Sequence, residues 1–402
     1  MWPWRTRVQI PPLTPIPLDY AHPGLQLTNE CRLQQQESTE LSQYQPVFHM
    51  LREGDSSGNL TVLKLTSQSG ISIWALGVPQ ISPSKVGPTW CYLVASDDIT
   101  LIDCGEAISS EVLISLLAET PFRLQDVDQL LVTHSHSDHD GNLHDVLRIS
   151  NADLLGHPLY PYLRYRPASQ PEPANTIQKW MAYYQQTVSE RLTPHLDQTL
   201  PDHNYNPIIN GHEIGKLKII ETPGHTPDSL CIVIDNFIIT GDHILPYITS
   251  GASVRLVFPQ SVPRLVAANH PTAEYYGLST YLQSLKRIES LGLDYALLPG
   301  HLLMVRGRIR WQSPRRARQL LNAHLTRAEN ILEVVTDTPA KIEDIAKRYF
   351  HPRLIEERGI DRSVASIAPH IDFLIQHLYL TEVQDGRLFK QGSKQFNSQF
   401  DF

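Results

Sequence analysis

The 402-residue chain is poor in cysteine, and its four thiols (Cys31, Cys91, Cys104 and Cys231) show no CxxC spacing. A disulfide framework is therefore not expected, and a reducing, cytoplasmic setting is. Long apolar runs are also missing. None approaches the roughly 18 residues that a membrane span requires, so a soluble protein without a membrane partner is expected. Basic residues are in the minority, with a net charge of −8 and a pI near 6.1. That balance argues against a free nucleic-acid binder, which carries a basic face. The N-terminal stretch lacks the charged start, apolar middle and small-residue end of a secretory signal.

Residues 1–55 combine a proline-rich stretch with a polar, glutamine-rich one, and they read as a poorly ordered extension. From about residue 58 the pattern changes to short β-branched and aromatic runs. LTVLKLT, GISIWALGVP, TWCYLVAS and ITLIDCG read as successive strands. Helix EVLISLLAE, strand DQLLVTH, helix NLHDVLRIS and strand ADLLGHP follow, which is the rhythm of an α/β layered domain. Residues 159–206 interrupt it with a proline-rich loop and a helix carrying Trp180, Tyr183 and Tyr184. That aromatic patch is either core packing or a wall of a substrate site.

EIGKLKIIETPGH and SLCIVIDNFIITGDH each read as strand-like, as does DYALLPGH. Residues 313–402 are mostly helical, with three helical runs and a closing hairpin around Asp385-Gly386. The silhouette is winged-helix-like. Acidic and basic residues nearly balance there, which favours a structural or dimerising role over contact with DNA.

What is abundant is histidine, at 18 residues. The decisive segment is LLVTHSHSDHDGN, in which a strand delivers His134 and the following turn holds His136, Asp138 and His139. Imidazole and carboxylate suit a borderline divalent ion such as zinc. Three later residues repeat the placement: His225 in ETPGHT, Asp242 in IITGDH and His301 in LLPGH. Each ends a strand-like run beside a glycine.

The pattern THxHxDHxGN, then PGHT, GD and PGH, resembles the metallo-β-lactamase superfamily in order over residues 58–305. The resemblance implies an α/β fold: a metallo-β-lactamase αββα sandwich over residues 56–312, followed by a small C-terminal winged-helix domain over 313–402. It implies that His134, His136 and His225 bind one metal, that Asp138, His139 and His301 bind a second, and that Asp242 bridges them. Asp103 in LIDCG would support the metal loop, and Cys104 stands where relatives usually carry Thr or Ser. Two divalent ions follow as cofactors, zinc first, with iron or manganese suited to the same donors.

By the same resemblance the chain is a binuclear hydrolase in which a metal-bridging hydroxide, oriented by Asp138, attacks the substrate. His136 in place of a glutamate separates it from flavodiiron proteins, and Asp242 separates it from typical zinc β-lactamases. Too few residues separate Asp242 from His301 for the inserted domain of the β-CASP nucleases. The glyoxalase II-like branch remains, and the C-terminal segment resembles the β-lactamase-like protein 2 group.

The first expectation is therefore hydrolysis of an acyl thioester of the acyl-CoA or acyl-glutathione type, with Arg164, Arg166, Arg255 and Arg264 as candidate cations for the carrier. His243 and Tyr247 are candidate proton donors. The alternatives are an endoribonuclease on single-stranded RNA, a lactonase, and, outside enzymology, a ligand-binding winged-helix regulator. A homodimer is also compatible with the sequence.

Overall fold

The computed structural model describes residues 46–81, 86–107, 110–164, 175–182, 184, 205–255, 276–392 and 396. β-Branched and aromatic runs build two sheets. The first holds eight strands in chain order: β1 (Phe48–Arg52), β2 (Val62–Thr66), β3 (Ser72–Val78), β4 (Thr89–Ala95), β5 (Ile99–Ile102), β6 (Gln129–Leu131), β7 (Asp153–Gly156) and β8 (Tyr205–Pro207). Pairing is antiparallel from β1 to β5 and parallel from β5 to β8. The second sheet holds β9 (Glu213–Ile214), β10 (Leu217–Glu221), β11 (Leu230–Ile234), β12 (Phe237–Gly241) and β13 (Ala296–Pro299), in the spatial order β13-β12-β11-β10-β9.

The period-two alternation of side chains assigns each residue to a layer. Ile73, Ala75, Trp90, Tyr92 and Val94 point inward and meet Ile219, Ile232, Phe237 and Ile239 of the second sheet. Their neighbours Trp74, Leu76, Cys91 and Leu93 face the other way, onto helices α1 (Ser110–Leu117) and α3 (Leu143–Ser150). Ile220, Cys231 and Ile238 leave the second sheet on its outer side, beneath α5 (Leu278–Glu289). Helix, sheet, sheet, helix is the αββα sandwich that the sequence predicts. Two short helices, α2 (Ser137–Asp140) and α4 (Tyr160–Arg164), complete this part.

A small hairpin, β14 (Met304–Val305) and β15 (Arg308–Ile309), leads to the C-terminal helical region. It comprises α6 (Arg315–Val334), α7 (Ile342–Tyr349), α8 (Pro352–Arg358), α9 (Ile360–Gln376) and the hairpin β16 (Leu380–Glu382) with β17 (Leu388–Lys390). Its apolar faces join one continuous cluster with α5 and β12. No helix among the described residues is long and apolar enough to cross a membrane.

Four local readings change. Strand β1 pairs with β2 inside the segment expected to lack order, while residues 1–45 lie outside the described residues. EIGKLKIIE is two strands, because Gly215 takes φ +55 and turns the chain. SLCIVIDNFIITG is a hairpin whose turn is Asp235-Asn236, with Asp235 at φ +51, and its apolar content hid the break. Helix α8 was not anticipated: Pro352 opens it, the His351 ring caps the Arg353 amide, and Gly359 at φ +82 closes it.

Candidate metal centre

The seven expected residues arrive from four strand ends. His134 follows β6, His225 lies in the loop beyond β10, Asp242 follows β12 and His301 follows β13, while His136, Asp138 and His139 surround α2. Strands β5 and β6 are parallel, as are β12 and β13, and two antiparallel steps make β10 run with β12. Their C-terminal ends therefore meet at one edge of the sandwich. There His134, His136, His225 and Asp242 form one group, and Asp138, His139 and His301 a second, with the donor atoms of each group within 4.8 Å of one another. Asp242 also reaches the second group, at 3.4 Å from His139 Nε2 and 3.5 Å from His301 Nε2.

Hydrogen bonds fix which ring nitrogens are free. His139 Nδ1–H donates to Asp103 at 2.7 Å, His301 Nδ1–H to the Pro88 carbonyl at 2.9 Å, and His225 Nδ1–H to the Gly251 carbonyl at 2.8 Å. Thr133 gives its hydroxyl proton to Asp103 (2.8 Å) and so accepts from His134 Nδ1 at 3.0 Å. Each of these four imidazoles is thereby left with a bare Nε2. These lone pairs face other acceptors, since His301 Nε2 lies 3.1 Å from Asp138 Oδ2 and His225 Nε2 3.1 Å from His136 Nδ1. His134 Nε2, His139 Nε2 and Asp242 Oδ1 are buried with no hydrogen-bond partner. Acceptors converging on acceptors need protons or a cation between them, and imidazole and carboxylate donors gathered in this number fit divalent metal.

The titration of the metal-free protein reflects the same field. Burial, then the neighbouring imidazoles His139, His136 and His225, hold His134 well below its usual value. Burial alone would lower His139 too, but the carboxylates of Asp103, Asp242 and Asp138 outweigh it and hold it well above. Burial would raise Asp242, yet His301 and His139 keep it below the ordinary carboxylate range. His136 is exposed, so the centre opens to solvent on that side.

Space is set by glycine. A Cβ on Gly300 would lie 2.6 Å from Asp242 Oδ1 and 2.7 Å from His139 Cε1, so the PGH turn admits no side chain. Asp103 itself sits at φ +56, a left-handed conformation that aspartate tolerates better than most residues.

Several sequence expectations for the periphery fail. Arg164 is spent on Asp140 at 2.7 Å and Arg255 on Asp372 at 2.9 Å, so neither is a free cation for a substrate tail. Arg166, Arg264 and Tyr183 lie outside the described residues. His243 is 1% exposed, its ring edge-on to Tyr281, and burial holds it at about 3, which makes it a poor proton donor. Tyr247 is half-buried at φ +61. Trp180 stacks on Tyr184 and packs against the C-terminal helices, in keeping with core packing. Sequence reasoning missed Gln80, whose amide donates to Asp138 Oδ2 at 3.0 Å, and the carbonyls of Pro88 and Gly251. No sequence signal marks a backbone acceptor.

The metallo-beta-lactamase superfamily profile matches residues 84–301, a span that contains all seven residues. The chain belongs to that superfamily. Among curated proteins, the chain is 26% identical over 282 residues to a protein of Aspergillus fumigatus named atrochrysone carboxyl ACP thioesterase, covering 63% of this chain and 68% of that one. It is 23% identical to a probable metallo-hydrolase of Bacillus subtilis, covering 78% of this chain and 95% of the other. Among solved structures, a metallo-beta-lactamase family protein from Thermus thermophilus superposes with a TM-score of 0.57 at 18% identity, over 79% of this chain and 98% of its own. A beta-lactamase domain protein from Burkholderia ambifaria gives 0.56 at 22%, over 79% and 91%. Both likenesses concern the fold. As a metallo-β-lactamase family member the chain is a hydrolase with a candidate site for two metal ions.

Proposed function

We propose that this protein hydrolyses an acyl thioester, using two divalent cations, zinc first, held by His134, His136, Asp138, His139, His225, Asp242 and His301. The observation that carries the proposal is the convergence of bare nitrogens and carboxylate oxygens at one sheet edge. Bound there, two such ions supply Lewis acidity and lower the pKa of water toward neutrality. The chain's own residues do the rest. Asp138, half-buried at the mouth, accepts from Gln80 and is held ready to orient an attacking water. Asp103 fixes His139 directly and His134 through Thr133, so the nitrogens stay aimed while substrate enters.

The reaction adds water across the C–S bond, giving a carboxylic acid and a thiol. A thiol ionises near pH 8.5, so a thiolate departs without strong protonation, whereas an alkoxide needs an acid. His243 is the residue nearest in sequence to supply one, and its burial removes it. That favours a thioester over an ester of RNA. The thioesterase name of the Aspergillus fumigatus relative points the same way, and it adds acyl carrier protein to coenzyme A and glutathione as a carrier. We read residues 313–402 as a winged-helix domain, supported by the helices and the β16–β17 hairpin.

A panel of acyl-CoA, acyl-pantetheine and acyl-glutathione thioesters, assayed with the zinc-loaded protein and Asp138→Ala as blank, tests the proposal. Turnover lost in the variant is the expected result. Equal rates in both proteins overturn it and leave lactones and single-stranded RNA to be assayed.

A further inference from the structure

The loop from Leu245 to Gly251 lies between the metal centre and the C-terminal helices. Its last residue carries the carbonyl that accepts from His225 Nδ1 at 2.8 Å and so decides which nitrogen of that ring faces His136 and Asp242. Within and just beyond the loop, Leu245 N bonds Ser250 Oγ at 3.2 Å, Ile248 N bonds Pro246 O at 2.7 Å, and Ser253 N bonds Gly224 O at 2.7 Å. Helix α6 adds two bonds from one side chain. The Arg316 guanidinium donates from Nε to the Leu245 carbonyl at 3.2 Å and from Nη2 to the Ile248 carbonyl at 3.1 Å, while Nη1 is braced by Gln319 at 2.9 Å. One rigid fork thus joins two carbonyls three residues apart. Further along the same helix, buried His324 bonds His370 of α9 at 3.0 Å and packs edge-on against Tyr281, whose hydroxyl donates to the His243 carbonyl.

We propose that Arg316 is a positioning residue for the metal centre, acting through loop 245–251 and the Gly251 carbonyl to hold the His225 ring on the first of the two ion sites. The C-terminal helices are then part of the scaffold of that centre. The inference rests on the reading that the seven residues bind two ions, and it concerns only one of the two sites. The second group, Asp138, His139 and His301, is held by Asp103, Pro88 and Gln80, and among the described residues no hydrogen bond joins it to α6.

The test is stepwise zinc binding by the full-length protein, read by competition with a chromogenic chelator and beside the melting temperature of the metal-free form. Losing the orienting partner of a ligand weakens a site roughly 10–100-fold, and Arg316 acts one step further out, so Arg316→Ala should weaken one site about tenfold and leave the other unchanged. Arg316→Lys, a point charge that cannot span both carbonyls, should show the same selective loss in a protein that melts with the parent. Arg318→Ala, on the same helix as Arg316, removes an ion pair to Glu289 of α5 and should change neither site. Equal weakening of both sites, or none, overturns the inference. A parent protein that binds no pair of zinc ions would instead sink the site reading itself, and the inference with it.

Discussion

Asp103→Asn probes the centre most directly, because one carboxylate organises both ion sites. Asp103 is 2% exposed and accepts three hydrogen bonds: from Thr133 N at 2.8 Å, Thr133 Oγ1 at 2.8 Å and His139 Nδ1 at 2.7 Å. Asparagine has the same shape but only one acceptor oxygen. If that oxygen keeps the Thr133 amide, the new NH2 meets the Thr133 hydroxyl and His139 Nδ1–H. The hydroxyl can rotate, but the imidazole can only move its proton to Nε2, the nitrogen aimed at the second site. Each hydrogen bond to a charged group contributes about 1.5–3 kcal/mol, and losing such a partner lowers metal affinity roughly 10–100-fold. Stepwise zinc titration should show the His139 site weakened by that factor, and the first site weakened less, because Thr133 still reaches His134. Both affinities within twofold of the parent would refute the argument that tautomer control by Asp103 builds the centre.

Two further perturbations separate chemistry from folding. Gln80→Ala removes the amide that holds Asp138, so kcat on the best thioester should fall about tenfold with zinc content unchanged; an unaltered kcat, or lost zinc, would count against a role in aiming Asp138. His324 is buried, and burial followed by the nearby Arg327 charge holds it at about 3. Above pH ~6.5 it is neutral whether folded or unfolded and contributes nothing to pH dependence. Between ~6.5 and about 3 only the unfolded chain takes the proton, so stability falls as pH falls, by about 1.4 kcal/mol per pH unit. Urea denaturation of the metal-free protein should therefore have a steeper pH dependence in the parent than in His324→Leu, by about one proton, and equal slopes would show that His324 titrates normally in the fold.

The layers were legible because burial imposes a period. Trp74, Leu76 and Cys91 alternate with Ile73, Ala75 and Trp90 in sequence as they do in space, one set under α1 and α3 and the other against the second sheet. The turns between strands were less legible where apolar residues flank them tightly. Asp235-Asn236 is a two-residue break in a run of isoleucine, valine and leucine, and a pattern of apolar residues alone reads straight through it. Strand β1 was hidden for the opposite reason: it is an edge strand with largely exposed side chains, Phe48, Met50 and Leu51 among them, so no inward face marks it.

The centre divides along a similar line. Metal donors must be side chains of a few types, and the ends of β6, β12 and β13 bring them to one edge, so His134, Asp242 and His301 could be found by type and position together. What aims those donors is chemically ordinary. The Pro88 and Gly251 carbonyls carry no residue identity, and Gln80 is one glutamine among many until Asp138 is placed 3.0 Å from its amide. Candidate cations failed for a related reason. Arg164 and Arg255 are as basic as any substrate clamp requires, but Asp140 and Asp372 are buried and would each be left an uncompensated charge without them. An arginine answers first to the nearest buried carboxylate, and only the fold decides which carboxylate that is.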